Sequence, residues 1–200
     1  MKKLSILLLC IFSVALFAGE MAPNFTLTDA DGKKHSLADF KGKVVVLEWT
    51  NYRCPFVVKH YNESVKNMQK LQEKYTKKGV VWLSICSSAP GNQGHMPSDK
   101  IKEAMKKLGA APTAYLIDAD GAVGKAYGAK TTPHMFVVSA KGAFLYKGAI
   151  DSIRSAKSAD VAKAQNFVAE TLDVVLGDKK GEVPASTKSY GCGVKYAKKK

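Results

Sequence analysis

Cys54 is the residue whose neighbours in the sequence best predict chemistry. It follows an apolar, β-branched run, Val44–Glu48, and a short polar break, and Pro55 comes directly after it. The run predicts a buried parallel strand. Proline is favoured at the first position of a helix, where its missing N–H has no intrahelical partner to lose. The pattern therefore predicts that Cys54 lies at a strand-to-helix corner, as the N-cap of a helix.

This position predicts a reactive thiol. Free N–H groups and aligned peptide dipoles at a helix N-terminus favour a thiolate over a thiol. Arg53 is a candidate thiolate stabiliser next to Cys54, and Arg154 offers a second guanidinium. The alternative is a buried structural cysteine that ends a strand. We predict that Cys54 is the nucleophile, and a pKa near that of free cysteine would argue against this.

The first residues of the chain predict export. Residues 1–18 contain Lys2 and Lys3, then an apolar run, Leu4–Phe17, and they contain Cys10. This is the pattern of a secretory signal peptide, too short to span a membrane, and we expect cleavage after Ala18. The protein is then periplasmic or extracellular, without stable membrane insertion after cleavage. Its remaining cysteines, three in number, are too few for a disulfide scaffold.

Two further cysteines are candidates for a resolving thiol. Residues 19–177 predict one globular domain, and residues 178–200 predict a flexible Lys-rich tail that exposes Cys192. Cys192 is a possible resolving or disulfide-forming thiol, or it is a loose thiol without a role. Cys86 ends the strand-like run "VVWLSIC" and is the weaker candidate, because a small core residue fits that position equally well.

The charge of the chain argues against nucleic acid as a partner. The formal net charge is +14, but only two of the basic residues are arginines. Recognition of bases and phosphates depends on the planar fork of arginine more than on lysine. The composition therefore predicts a solvated basic surface that attracts anions weakly.

The order of elements predicts an α/β fold. A β-hairpin is followed by strand, helix, strand, helix, strand and helix, then by a second hairpin and a final helix. The Cys54 helix is expected to run for about six turns to Gly79, and the last helix over Ser158–Leu176. Right-handed crossovers would make the two central strands parallel neighbours, with reactive groups beyond their C-terminal ends.

Four motifs resemble a known family. The stretches "WTNYRCPFVVKHY", "SICSSAPGNQGH", "TTPHMFVV" and "GCGVKY" resemble exported peroxiredoxin-like redoxins of the thioredoxin superfamily, similar to alkyl hydroperoxide reductases and thiol-specific antioxidant proteins. The resemblance implies a thioredoxin-like fold, with a central mixed sheet flanked by helices and an N-terminal β-hairpin extension. It also implies that Pro133 is a cis proline facing the thiol, that Thr132 presents its backbone to a bound substrate chain, and that no cofactor is needed.

The resemblance also implies a reaction. In peroxiredoxins the reactive cysteine, here Cys54, reduces a peroxide and becomes a sulfenic acid, which a second thiol converts to a disulfide for an external thiol reductant to reduce. This sequence departs from the family at Leu47 and Asn51, where Pro and Thr are usual. Thr50 lies one position away and is a candidate substrate-binding residue. Val57 stands where thioredoxins have a second cysteine, which excludes a self-contained CxxC exchange.

Two alternatives remain beside peroxide reduction. One is thiol–disulfide exchange with protein partners, and the other is a non-catalytic thioredoxin-fold module whose groove at Thr132 and Pro133 holds a peptide. Glu48 suits proton relay if it is buried, although a carboxylate emerging at the end of the sheet is the favoured expectation. No metal is expected, because no pair of histidines has ligand spacing. The histidines are His35, His60, His95 and His134, of which His134 is expected nearest the thiol.

Overall fold

The computed structural model describes residues 19–198, so the predicted signal peptide and Cys10 lie outside the described residues. The strands are β1 (Thr26–Asp29), β2 (Lys34–Ser36), β3 (Val45–Trp49), β4 (Val81–Cys86), β5 (Ala114–Ile117), β6 (Thr131–Thr132), β7 (His134–Val138), β8 (Phe144–Gly148) and β9 (Cys192–Gly193). The α-helices are α1 (Pro55–Tyr61), α2 (Asn67–Thr76), α3 (Ser98–Leu108), α4 (Ala122–Ala126) and α5 (Phe167–Val175), and 3₁₀ helices cover Leu37–Phe40 and Ser158–Lys163.

A seven-stranded mixed sheet forms the centre of the fold. Its strand order is β2-β1-β5-β4-β3-β7-β8. β3 and β4 are parallel neighbours, with Val45 opposite Val81, and β7 runs antiparallel on the other side of β3. Every residue of β3 and β4 is buried, as continuous apolar runs in a doubly covered sheet require. The predicted thioredoxin-like architecture, with its N-terminal hairpin β1–β2 joined to β5, is confirmed.

The sheet separates two apolar clusters. Successive side chains of a strand point to opposite faces, so Val46 packs with Tyr61 and Leu172 on the face covered by α1, α2 and α5. Leu47 packs on the other face, in the cluster that contains Phe25 and Tyr127. The strand that leads to Cys54 is thus held from both sides, which makes its C-terminal end a rigid support.

The expected six-turn helix is wrong. Helix α1 ends at Tyr61 and α2 begins at Asn67. Between them the Asn62 Oδ1 atom accepts hydrogen bonds from the Ser64 N–H at 3.0 Å and the Ser64 hydroxyl at 2.6 Å, a local turn that competes with helix. Lys66 then adopts a left-handed conformation with φ +50°. The apolar spacing continues across this break because both helices cover the same face of the sheet.

The last predicted helix is also divided. The 3₁₀ helix over Ser158–Lys163 ends before α5 begins at Phe167. Asn166 is the N-cap of α5, and its side chain accepts a hydrogen bond from the Ala169 N–H at 2.9 Å. None of the helices within residues 19–198 is long and apolar enough to cross a membrane.

The tail is bound to the body of the protein rather than loose. β9 pairs antiparallel with β6, with Cys192 opposite Thr132. Before β9, the Thr187 N–H donates to the Lys147 carbonyl at 3.0 Å, and after it the Val194 N–H donates to the Lys130 carbonyl at 3.1 Å. The expected exposure of Cys192 is therefore wrong, since its side chain is half-buried.

Candidate functional site

Cys54 lies in a tight turn between β3 and α1. Its N–H donates to the Asn51 carbonyl at 2.8 Å, and its own carbonyl accepts from the Val57 and Val58 N–H groups, each at 2.9 Å. The residue has φ −86° and ψ 124°, extended values typical of an N-cap, and Pro55 opens the helix. The predicted strand-to-helix corner is confirmed, although α1 has seven residues.

The thiol of Cys54 points at the start of β7. Its Sγ donates a hydrogen bond to the Thr132 carbonyl at 3.1 Å, and the Thr132–Pro133 peptide bond is cis, as predicted. Cys54 has no exposed surface, and Thr132 is 3% exposed. The thiol is thus enclosed against the segment that the sequence predicted to bind substrate.

Cys192 completes the enclosure. Because β9 pairs with β6, Cys192 lies opposite Thr132, the residue whose carbonyl accepts from the Cys54 thiol, and each of the two thiols shifts the pKa of the other. Gly191 makes this approach possible. Its φ is +131°, and a Cβ at this position would lie 2.1 Å from the Thr132 carbonyl oxygen, so only glycine lets the two backbones come this close.

The two thiols have opposite pKa shifts. Burial raises the pKa of Cys54, but hydrogen bonds from the Cys192 and Thr132 side chains and from the backbone of Cys192 and Val57 outweigh burial and lower it below the ordinary value. Burial, together with the neighbouring Cys54 sulfur, raises the pKa of Cys192 to about 11. The pair therefore ionises first at Cys54, and the Cys192 thiol keeps its proton and donates a hydrogen bond to the thiolate.

We expect replacement of Cys192 by alanine to raise the pKa of Cys54, because the variant loses the thiol that donates to the thiolate. Cys192→Ser should retain more of the lowered pKa, since its hydroxyl remains a donor. The pH dependence of Cys54 alkylation by iodoacetamide, mapped by peptide mass, measures both. If Cys54 has the wild-type pKa in both variants, Cys192 is not the donor that stabilises the thiolate.

The other predicted site residues lie elsewhere around this corner. Arg53 is exposed and lines a shallow groove beside α3, and its side chain makes no hydrogen bond or ion pair within the described part of the chain. Arg154 is also exposed and lines a different groove. Thr50 is buried just beyond β3, where its N–H donates to the Ile85 carbonyl at 2.9 Å. None of these side chains is hydrogen-bonded to Cys54 in residues 19–198.

Cys86 is a buried residue at the end of β4. It is 5% exposed, and its Sγ is 3.5 Å from the Gly94 carbonyl oxygen, to which it donates. Within the described residues, it shares no hydrogen bond with either of the other two thiols. Of the two candidates for a resolving thiol, the structure thus brings Cys192 to Cys54.

Glu48 is fully buried, so the expectation that it emerges at the end of the sheet is wrong. Its Oε2 atom accepts from Trp82 Nε1 at 2.9 Å, Ser84 Oγ at 3.0 Å and Gln72 Nε2 at 3.4 Å, and its Oε1 accepts from the Tyr61 hydroxyl at 3.3 Å. Burial raises the pKa of this carboxyl, although the hydrogen bonds from Trp82, Ser84 and Tyr61 oppose the shift. The carboxyl is bound beneath α1 and α2, where it supports the sheet.

We expect Glu48→Gln to remove a pH dependence of stability. The folded-state pKa is raised, so Glu48 stabilises the fold fully below its ordinary pKa of 4.5, and this stabilisation is lost as pH rises through the folded value. The limiting loss is about 1.4 kcal/mol per pH unit. Glutamine keeps an acceptor for Trp82 and should not show this loss in urea unfolding at a series of pH values. The control is Glu73→Gln, because Glu73 is exposed. If the free energy of unfolding of Glu48→Gln depends on pH as steeply as that of the wild type, Glu48 is not the source of this pH dependence.

A buried cluster next to the site was not predicted from the sequence. Lys59 of α1 is 1% exposed, and it contacts Asp151 and Tyr190, of which Tyr190 lies two residues before Cys192. The only sequence signal was the polar pair Lys59 and His60 between the apolar residues of α1. His60 and His134 are buried too, and burial lowers the pKa of His134 to about 4 and that of His60 to about 3.

Solved structures share this fold over nearly the whole chain. A crystal structure of an uncharacterized conserved protein from Geobacillus kaustophilus has a TM-score of 0.72 at 27% identity, covering 91% of this chain and 93% of that one. A hypothetical protein from Sinorhizobium meliloti 1021 has a TM-score of 0.70 at 28% identity, covering 90% of this chain and 94% of that one.

The sequence is also similar to that of curated proteins. Thiol-disulfide oxidoreductase ResA of Bacillus thuringiensis subsp. konkukian (strain 97-27) is 36% identical over an alignment of 118 residues, and the match covers 52% of this chain and 66% of ResA. The match thus spans just under two thirds of that relative. The family model for Redoxin matches residues 17–166, which are three quarters of the chain and include β3, α1 and the cis Thr132–Pro133 bond. Together with the thioredoxin-like sheet and the Cys54 corner, this match shows that the chain belongs to the Redoxin family.

Proposed function

We propose that this protein is a thiol–disulfide oxidoreductase in which Cys54 attacks a disulfide of a protein partner and Cys192 resolves the product. The observation that carries the proposal is the juxtaposition of the two thiols at the cis Thr132–Pro133 bond. Similarity to relatives named thiol-disulfide oxidoreductase ResA supports exchange over peroxide reduction. The lowered pKa of Cys54 argues against a binding module in which this cysteine has no role.

In the first step the Cys54 thiolate attacks one sulfur of the partner disulfide. The Cys54–partner S–S bond forms, the partner S–S bond breaks, and the partner's second sulfur leaves as a thiolate that takes up a proton. A lowered thiol pKa increases the fraction of Cys54 that is present as the attacking thiolate at a given pH.

In the second step Cys192 attacks the Cys54 sulfur of the mixed disulfide. The Cys54–Cys192 bond forms, and the partner leaves as its second thiolate, so the partner is reduced by two electrons and the enzyme is oxidised by two. The neighbouring Cys54 sulfur contributes to the raised pKa of Cys192. Once Cys54 is in a mixed disulfide this contribution is lost, which makes Cys192 easier to ionise when it is needed. An external thiol then reduces the enzyme disulfide.

Partner entry requires the tail to move. β9 pairs with β6 at Thr132, which is the backbone edge that an extended partner segment would use by strand addition. With β9 in place Cys54 has no exposed surface. We therefore expect the partner to replace β9 before the first step and β9 to return for the second.

Peroxide reduction is the second candidate, because two adjacent thiols would also suit a two-cysteine peroxidase. The departures at Leu47 and Asn51 weaken it. Reduced protein is mixed separately with insulin and with hydrogen peroxide, and Cys54 products are identified by peptide mass. Cys54-dependent insulin reduction, with peroxide oxidation no faster than that of a free thiol, supports exchange. Fast formation of a sulfenic acid at Cys54 without insulin reduction would overturn the thiol–disulfide exchange proposal in favour of a peroxidase.

We also propose that the protein is exported, on the basis of the sequence of residues 1–18. An oxidising compartment would supply protein disulfides as substrates. The N-terminal sequence of the protein purified from cells tests this, because an uncleaved Met1 would contradict it.

A further inference from the structure

We propose that Lys59, Asp151 and Tyr190 form a latch that positions Cys192 against Cys54. This tail latch rests on the proposed function, since it would set how readily the two thiols form their disulfide. None of its residues is hydrogen-bonded to either sulfur within the described chain, so we assign them a positioning role.

The latch is a closed set of polar contacts. The Lys59 Nζ donates to the Tyr190 hydroxyl oxygen at 2.9 Å, to an Asp151 carboxylate oxygen at 3.3 Å and to the Ile153 carbonyl at 3.1 Å. The Tyr190 hydroxyl in turn donates to the other Asp151 oxygen. His60 also faces this carboxylate, at 3.7 Å, and it is neutral because burial lowers its pKa to about 3. The ion pair is therefore Lys59 with Asp151.

The ion pair between Lys59 and Asp151 is buried, so it depends on the hydrogen bonds that Tyr190 makes with it. Lys59, Asp151 and Tyr190 are 1%, 2% and 3% exposed. A buried ion pair is stable only when further hydrogen bonds satisfy both partners. Tyr190 supplies such a bond to each of them, so departure of the tail leaves both charges incompletely paired. The Tyr190 ring also packs edge-on against Phe56, with centroids 6.0 Å apart.

Both ends of the latch belong to the segments that carry the thiols. Lys59 lies five residues after Cys54, on the helix that Cys54 caps. Tyr190 lies two residues before Cys192, and two residues span at most about 7 Å. Fixing Tyr190 on α1 thus confines Cys192 to a small volume beside Cys54, which raises its effective concentration.

The test is the disulfide equilibrium of Tyr190→Phe with glutathione. Reduced enzyme and one oxidised glutathione give the Cys54–Cys192 disulfide and two reduced glutathiones, so no other reactant is needed. Phenylalanine keeps the ring against Phe56 and removes only the hydroxyl. We expect the equilibrium constant to fall about tenfold, which corresponds to a reduction potential about 30 mV higher.

The protein contains a matched control cluster. Lys74, Tyr75 and Asp173 repeat the same three residue types, with the Tyr75 hydroxyl 2.8 Å from Asp173 and the Lys74 Nζ 2.7 Å from it. Tyr75 also donates to a carbonyl of α5, and within residues 19–198 its hydroxyl makes no hydrogen bond to β9. Tyr75→Phe should lower thermal stability and leave the equilibrium constant for disulfide formation at the wild-type value.

A second measurement separates failure of the latch from failure of the proposed function. In a Cys192→Ser background no enzyme disulfide forms, and alkylation of Cys54 by iodoacetamide reports release of the tail. We expect Tyr190→Phe to accelerate this alkylation of Cys54 at least about fivefold. An unchanged rate, or equal acceleration by Tyr75→Phe, overturns the latch. If the wild-type protein forms no Cys54–Cys192 disulfide, the proposed resolving role of Cys192 is wrong. The alkylation rate of Cys54 in the Cys192→Ser background still tests the tail latch in that case.

Discussion

Cys192→Ser is expected to accumulate as a mixed disulfide between Cys54 and a protein substrate. The variant keeps the nucleophile but lacks the thiol that displaces the substrate, so the first step proceeds and the second does not. Incubation with insulin followed by non-reducing electrophoresis and peptide mass identifies the linkage. Cys54→Ser should form no such adduct and should lose insulin reduction on the order of 10³-fold, since a hydroxyl is a far weaker nucleophile.

Cys86→Ser is the matched control for this experiment. Cys86 is buried and donates to the Gly94 carbonyl rather than to another thiol, so its replacement should leave insulin reduction within about twofold of wild type. Accumulation of the adduct in Cys86→Ser instead of Cys192→Ser would assign the resolving role to Cys86 and contradict the proposed second step.

Gly191→Ala is expected to release the tail. The added Cβ would lie 2.1 Å from the Thr132 carbonyl oxygen and 2.8 Å from the Thr132 carbonyl carbon, and the position has φ +131°. Both atoms are backbone, fixed by the adjoining strand β7, so the clash is relieved by moving β9 away. The equilibrium constant for forming the Cys54–Cys192 disulfide with glutathione should fall at least about tenfold. Alkylation of Cys54 should accelerate, because β9 no longer shields its thiol.

Gly193 provides the control on the other side of Cys192. A Cβ at Gly193 meets no atom within 4 Å, and its backbone is not left-handed, so Gly193→Ala should behave as wild type in both measurements. Equal effects of the two alanines would show that tail composition, rather than close approach to Thr132, controls access to Cys54. If the Gly191→Ala variant behaves as wild type, the position of β9 does not depend on the close approach of Gly191 to Thr132.

The local features of the Cys54 corner were predictable. A continuous apolar run is typical of a strand covered on both faces, and Pro55 after a cysteine is typical of a helix start, so strand β3, the N-cap and the parallel β4 followed from short-range patterns. The helix length was not predictable in this way. Apolar spacing reports only which residues face the sheet, and it continues through the turn at Asn62 because α1 and α2 share one face.

The polar interior depended on contacts between distant segments. Glu48 at the end of an apolar strand gave no sign of the four donors that surround it, which come from α1, α2 and β4. Lys59 likewise has partners 92 and 131 positions away. A charged side chain is buried only where such partners are assembled, and sequence spacing alone does not report that assembly.

From the sequence alone, short-range patterns predicted the strand-to-helix corner at Cys54, the start of α1 and the order of elements, and the resemblance to redoxins implied the cis Pro133. The tertiary structure decided the state of the tail. A segment with seven lysines and no apolar periodicity predicts solvation, yet β9 pairs with β6 and Tyr190 enters a buried ion pair. The physical reason is that these stabilising groups belong to other elements and meet the tail only after the sheet has formed.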